Sequence, residues 1–234
     1  MKISRKIARN AIASCAVLSV MTWGLSESFA APVFYDTSAA NASQWQVATY
    51  VSGGTCDGLF SCFPTTGFTT ATAITSRSGW IANNDSGTNG SIGDWTFFTF
   101  TQTFDLSGYD STTADLKFRW AADDSGEGFA ARGTWVPKFS LNGGPLIPWG
   151  SGPTYSFGPV VDVSSGFVSG LNTIYFYVEG NGVTDGFALT TLDASGTPLG
   201  LTVGAVPEPE IYVLLGVGMG LLGWVGRRRK LQAA

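Results

Sequence analysis

The 234-residue chain contains no histidine. That absence removes Ser-His-Asp and Cys-His activation of a nucleophile, most zinc sites and His-ligated haem. Cysteine is scarce, at three residues, so no dense disulfide framework supports the fold. Charge is scarce too, with Asp, Glu, Lys and Arg at 13% of the chain. Positive charge is nearly missing from the middle. Eight of the 13 basic residues sit at the two ends: Lys2, Arg5, Lys6, Arg9, Arg227, Arg228, Arg229 and Lys230. Between residues 31 and 206, only Arg77, Lys117, Arg119, Arg132 and Lys138 stand against fourteen carboxylates, a net charge of −9. Such a stretch is repelled by phosphate backbones, so no nucleic-acid partner is expected. Nor does it carry a convincing helical period.

What is abundant is glycine, at 31 residues, and aromatics, at 13%. With Thr and Ser they suit an all-β domain with many turns. A middle of roughly 175 residues is long enough to bury one sizeable core.

The two ends read as addresses. Residues 1–30 form a secretory signal: four positive charges within the first ten residues, an uncharged apolar run, then Ser28-Phe29-Ala30 with small residues at −3 and −1. Cleavage is expected after Ala30, by signal peptidase, following passage through the secretion translocon. A retained anchor helix is the alternative. Ile12-Ala13-Ser14-Cys15 loosely resembles a lipobox, but no apolar run precedes Cys15. Once the signal is gone, Cys56 and Cys62 remain as an even pair in an oxidising compartment. A short local disulfide between them is expected; two free thiols are the alternative.

The back end has three parts in order. Val206, Pro207, Glu208 and Pro209 close a linker at residues 201–210. Residues 211–226 are uncharged. Arg227, Arg228, Arg229 and Lys230 follow in a basic tail at residues 227–234. Sixteen helical residues span about 24 Å, slightly short of a hydrocarbon core of about 30 Å. Tyr212 and Trp224 would sit at the interfaces, and the arginines would hold the cytoplasmic side. A transmembrane helix is therefore expected over residues 211–226.

This tail resembles the PEP-CTERM sorting signal of Gram-negative bacteria. The resemblance implies recognition by an exosortase, a membrane transpeptidase or protease that cuts near the Pro-Glu-Pro site. It also implies a setting of exopolysaccharide-producing, biofilm-forming cells. Glu210 follows the motif where a small or hydroxylated residue is usual. An ordinary single-pass anchor is the alternative. The expected course is export, an inner-membrane-anchored precursor, then the cell surface or the extracellular space.

The domain itself, residues 31–200, shows period-two patterning. Phe98, Phe100, Gln102 and Phe104 share one face of a strand, with Thr99, Thr101 and Thr103 on the other. Leu116, Phe118 and Trp120 oppose Lys117 and Arg119. Ile174, Phe176 and Val178 alternate with Tyr175 and Tyr177. Turn residues such as Asn142-Gly143-Gly144 and Gly180-Asn181-Gly182 separate the runs. About eight to ten strands are expected, in an antiparallel β-sandwich. From Trp80 to about Leu192 the chain resembles the galactose-binding, jelly-roll type of sandwich. Thr103-Phe104-Asp105-Leu106-Ser107-Gly108-Tyr109, Trp120-Ala121-Ala122-Asp123-Asp124, Leu141-Asn142-Gly143 and Gly170-Leu171-Asn172-Thr173 carry that likeness. It implies a jelly-roll-like fold that often binds carbohydrate.

Three chemistries suggest sites. Asp123, Asp124 and Glu127 cluster in a Gly-containing turn, oxygen ligands suited to calcium, with a solvated acidic turn as the plainer reading. No other cofactor is expected. The same carboxylates suit an acid–base pair in a glycan hydrolase only at a separation the sequence does not reveal. Trp149 and Tyr155, set among Gly and Pro, are the expected exposed aromatics for stacking on sugar rings, whereas most other aromatics fill the core. The threonines between Thr65 and Thr75 are too irregularly spaced for an ice-binding array. The expected function is an exported, non-enzymatic surface or matrix module that binds exopolysaccharide. The rivals are a carboxylate-dependent hydrolase and a purely structural surface protein.

Overall fold

The computed structural model describes residues 31–52, 62–88, 95–123, 137–148, 155–180, 184–206 and 209–232. The expected signal peptide lies outside them. Ala31–Ala205 form one compact unit, and the C-terminal segment belongs to another.

In chain order the strands are β1 (Gln46–Ser52), β2 (Thr69–Thr70), β3 (Thr72–Ala73), β4 (Trp80–Ala82), β5 (Trp95–Asp105), β6 (Tyr109–Asp123), β7 (Lys138–Leu141), β8 (Ile147–Pro148), β9 (Val161–Val163), β10 (Leu171–Gly180), β11 (Gly186–Thr190) and β12 (Gly200–Ala205). A single 3-10 turn, Ala42–Gln44, precedes β1. The first sheet runs β2-β1-β5-β10-β7-β8. The second runs β12-β6-β11-β4-β3, with β9 also bonded to β6. All these pairings are antiparallel. The all-β sandwich is as expected. The twelve described strands exceed the expected count because β2, β3 and β8 are two-residue pairings, too short to leave an alternation in the sequence.

The predicted inward faces meet in one aromatic core. Phe98, Phe100 and Phe176 from the first sheet join Leu116, Phe118, Trp120 and Phe187 from the second, all nearly inaccessible. Phe176 and Phe187 lie 4.6 Å apart by ring centroid, and Trp120 lies 5.1 Å from Phe176. Offset and edge contacts of this kind add about 0.5–1.5 kcal/mol each beyond area burial. Trp45 is fully buried in the same core, and its Nε1–H donates to the Asp36 carbonyl at 3.1 Å. The indole thus buries its ring without orphaning its donor.

Thr37 fastens the N-terminal segment to the second sheet. It is fully buried; its hydroxyl donates to the Gly79 carbonyl at 2.6 Å and accepts from the Leu189 N–H at 2.8 Å. At the other end of the strands, Asn172 is equally buried. Its Oδ1 accepts from the Val168 N–H and from Asn142 Nδ2, and its Nδ2 donates to the carbonyls of Val168 and Gly170. Asn142 adopts φ 53°, a left-handed turn position that asparagine tolerates better than most residues.

One feature departs from simple alternation. The outward face of β5 and β10 is buried as well: Phe97 is 0% exposed, Thr99 1% and Tyr177 8%. Phe63 packs edge-on at 5.3 Å from Phe97 and 5.5 Å from Tyr177, and Cys62 joins this second cluster. The loop that carries Cys62 therefore covers the sheet. Cys56 lies outside the described residues.

The C-terminal boundary differs from expectation. Residues 201–205 are no linker: they form β12, paired to β6. The helix α1 spans Pro209–Gln232, longer than the uncharged run, and takes in the basic cluster as its last turns. Cations there complement the negative end of the helix dipole. Among the described residues no helix is long and apolar enough to cross a membrane. Five of the sixteen residues 211–226 are glycine, which dilutes the apolar surface. The transmembrane expectation for residues 211–226 is not confirmed by the described residues.

Candidate functional site

Among the described residues, two places have the makings of a site: a hollow in the sandwich unit and the segment that follows β12. The hollow has a volume of about 520 Å³ and opens broadly to solvent. Thr75, Ser76, Asp85, Ser86, Thr88 and Thr184 line it. Three segments converge to make it. The turn before β4 brings Thr75 and Ser76, and the Thr75 N–H bonds the Asp85 carbonyl at 2.8 Å. The turn after β4 is held by Asn84, whose Oδ1 accepts from both the N–H and the hydroxyl of Ser86. The approach to β11 adds Thr184, which bridges Thr88.

Glycine makes this convergence possible. Gly87 has φ 69°, and a Cβ there would lie 2.7 Å from the Asp185 carbonyl oxygen. A Cβ on Gly180 would lie 2.3 Å from the Asp185 carboxyl carbon. Both are approaches that no other residue permits without displacement. Asp185 and Glu179 are buried carboxylates, at 0% and 1% exposure. The sequence reading did not single out either one. The readable signal was Glu179 itself, an acid closing a strand of apolar and aromatic residues.

Asp123, one of three expected calcium ligands, ends β6 beside this region and is ion-paired to Arg77. The Arg77 guanidinium also lies over the Trp80 ring, 3.6 Å from its centroid. Asp123 is thus already neutralised by a cation held on both sides. Asp124 and Glu127 lie outside the described residues. No group of three or more metal-ligating side chains is assembled among those described.

Tyr155 is 60% exposed, as expected for a sugar-stacking residue, on the loop before β9. Phe157, two residues on, is also exposed, and Arg119 lies 5.7 Å from its ring centroid while donating to the carbonyls of Phe157 and Gly158. The sequence reading missed Phe157. Trp149 lies outside the described residues. Trp80 is buried, as most of the other aromatics were expected to be.

Several carboxylates are tuned by local turns. Asp105, Asp110 and Asp193 each accept hydrogen bonds from a residue two positions on (Ser107, Thr112 and Ser195), which holds them below the ordinary range. Asp115 is held low by Lys117, which also pairs with Asp162. These are exposed turn and surface groups, and none lines the hollow.

The second place begins at Ala205, the last residue of β12. Val206 is exposed, Pro207 and Glu208 lie outside the described residues, and Pro209 opens α1. No curated protein and no solved structure matches the chain. Residues 205–230, from the end of β12 through the basic cluster, match the family model of the PEP-CTERM protein-sorting motif, and this match implies an exported protein sorted by an exosortase.

Proposed function

We propose that this protein is a non-enzymatic surface or matrix module that reaches its place by exosortase sorting and binds exopolysaccharide there. The observation that carries the proposal is the match of residues 205–230 to the sorting motif. In this reading α1 holds the precursor in the inner membrane before processing. Snorkelling arginines and local thinning make up the short apolar length. The sandwich is of the galactose-binding, jelly-roll type. Cys56 and Cys62 pair, clasping the loop that covers the first sheet.

Glycan binding is supported by the lining of the hollow. Five Ser and Thr hydroxyls, each able to donate and accept, sit beside one carboxylate, a set matched to sugar hydroxyls. Exposed Tyr155 and Phe157 supply aromatic faces for stacking. A net charge of −9 between residues 31 and 206 favours a neutral polysaccharide over an anionic one. No cofactor is required. Calcium at Asp123, Asp124 and Glu127 would have to compete with Arg77 for Asp123.

The test is retention of the exported protein on exopolysaccharide from its own cells, alongside a reducing-end assay. Wild-type protein should be retained, and Asp85→Asn with Thr88→Val should weaken retention by about tenfold, the worth of one or two good hydrogen bonds. Wild-type protein that passes through unretained would refute the glycan reading and leave a structural surface protein. Release of reducing ends would establish the hydrolase instead.

A further inference from the structure

We infer that the segment presented to the processing enzyme reaches back into the sandwich, and that the last rung of β12 must open before the motif is cut. The inference rests on the exosortase reading above and adds to it a recognition element within the folded domain.

Proteases take their substrates as extended peptides. Here only Val206, Pro207 and Glu208 separate the end of β12 from the start of α1. The free peptide on the domain side of the motif is therefore a single residue, Val206. Any further extended substrate must come from β12.

The ladder there is built in two pieces. Gly200, Leu201 and Thr202 pair with Lys117, Leu116 and Asp115; the register then shifts, and Gly204 and Ala205 pair with Asp110 and Tyr109. Asp110 to Asp115 on β6 oppose only Thr202 to Gly204 on β12, so β6 bulges between the two pieces. Thr113, on that bulge, spans the gap. Its hydroxyl accepts from the Gly204 N–H at 2.8 Å and donates to the Asp110 carbonyl at 2.8 Å. Leu201 and Val203 pack against the core, whereas Gly204, Ala205 and Val206 are exposed. The inner piece is anchored by apolar burial. The outer piece is held by a two-residue rung and one hydroxyl latch. Edge segments of this kind open locally at far lower cost than the fold as a whole.

Opening of the outer piece frees residues 204–206 ahead of the motif without disturbing the core. Cleavage then breaks one peptide bond. Its acyl group passes to water or to an acceptor amine, and the new amine departs with the helix.

The experiment follows precursor and product in the native cells by immunoblot. Thr113→Val removes the latch at nearly constant volume and should raise the processing rate by about two- to tenfold, the increase in open fraction expected from loss of one hydrogen bond. A Tyr109→Cys/Ala205→Cys pair, its disulfide verified by mass, should slow processing by about tenfold or more. Inserting six Gly and Ser residues between Ala205 and Val206 in that stapled chain should restore it. The same insertion in the unstapled chain checks the idea without a staple, and should accelerate processing. Wild-type rates in the verified staple, or in both the latch variant and the insertion, would overturn the inference while leaving exosortase sorting intact. A wild-type chain that is never cut would remove the sorting reading and this inference with it.

Discussion

Replacing Asn172 by alanine tests how the strand-end loop of the first sheet is held. The side chain is 0% exposed and makes four hydrogen bonds of 2.8–2.9 Å. Alanine removes all four. It orphans the Val168 N–H and the Val168 carbonyl, takes one acceptor from Asn142, and leaves the Gly170 carbonyl with the Leu106 N–H alone. A buried unsatisfied group costs about 1–3 kcal/mol, but Val168 is 47% exposed and water can reach part of the loop. The expected loss is therefore about 3 kcal/mol in total rather than the full sum. For a domain of this size that lowers the melting temperature by about 6–12 °C. Urea unfolding of the exported protein, followed by tryptophan fluorescence, should show a lower midpoint at unchanged m-value. Asn172→Asp should also destabilise, because a buried carboxylate would face the two carbonyls to which the amide now donates. A change under about 0.5 kcal/mol for the alanine variant, the level of an ordinary surface substitution, would refute this account of the loop.

Three further outcomes follow from the same structure. Burial pushes the Asp36 carboxyl up, but hydrogen bonds from Ser38 and Asn41 outweigh it and leave the group below its ordinary value. A lowered folded-state pKa contributes stability above the unfolded value of 3.8 that is lost as pH falls through the folded value, so Asp36→Asn should flatten the acid limb of an unfolding-versus-pH curve below pH 3.8. Burial raises the Tyr177 phenol, partly offset by Ser140 and aided by Tyr175. Its contribution is present below the unfolded value of 10.0 and lost as pH climbs through the folded one, so an alkaline ultraviolet titration should show a late tyrosine step that Tyr177→Phe abolishes. If Cys56 and Cys62 close their seven-residue loop, reduction should cost about 2.4 kcal/mol by the loop-entropy relation and raise the intact mass by about two hydrogens. An unchanged mass on reduction would exclude the bond.

The sequence alone determined the sorting motif and the faces of the long strands. The sorting motif and its basic cluster lie in one short contiguous stretch, and local order is all that such a signal needs. The faces of β5, β6 and β10 were legible because side chains alternate with a period of two, and Phe98, Phe118 and Phe176 all turned inward as that period required. The tertiary structure decided the rest. That Thr99 and Tyr177 are buried too follows from the loop bearing Cys62 and Phe63 folding over their sheet, a contact between distant parts of the chain. The hollow is assembled from residues as far apart as Thr75 and Thr184, and no local pattern announces such a meeting. Residues 201–205 read as linker because Gly, Thr and Val alternate too weakly to announce a strand. Pairing with β6 makes them one, since a ladder needs only backbone groups and a partner at the right distance.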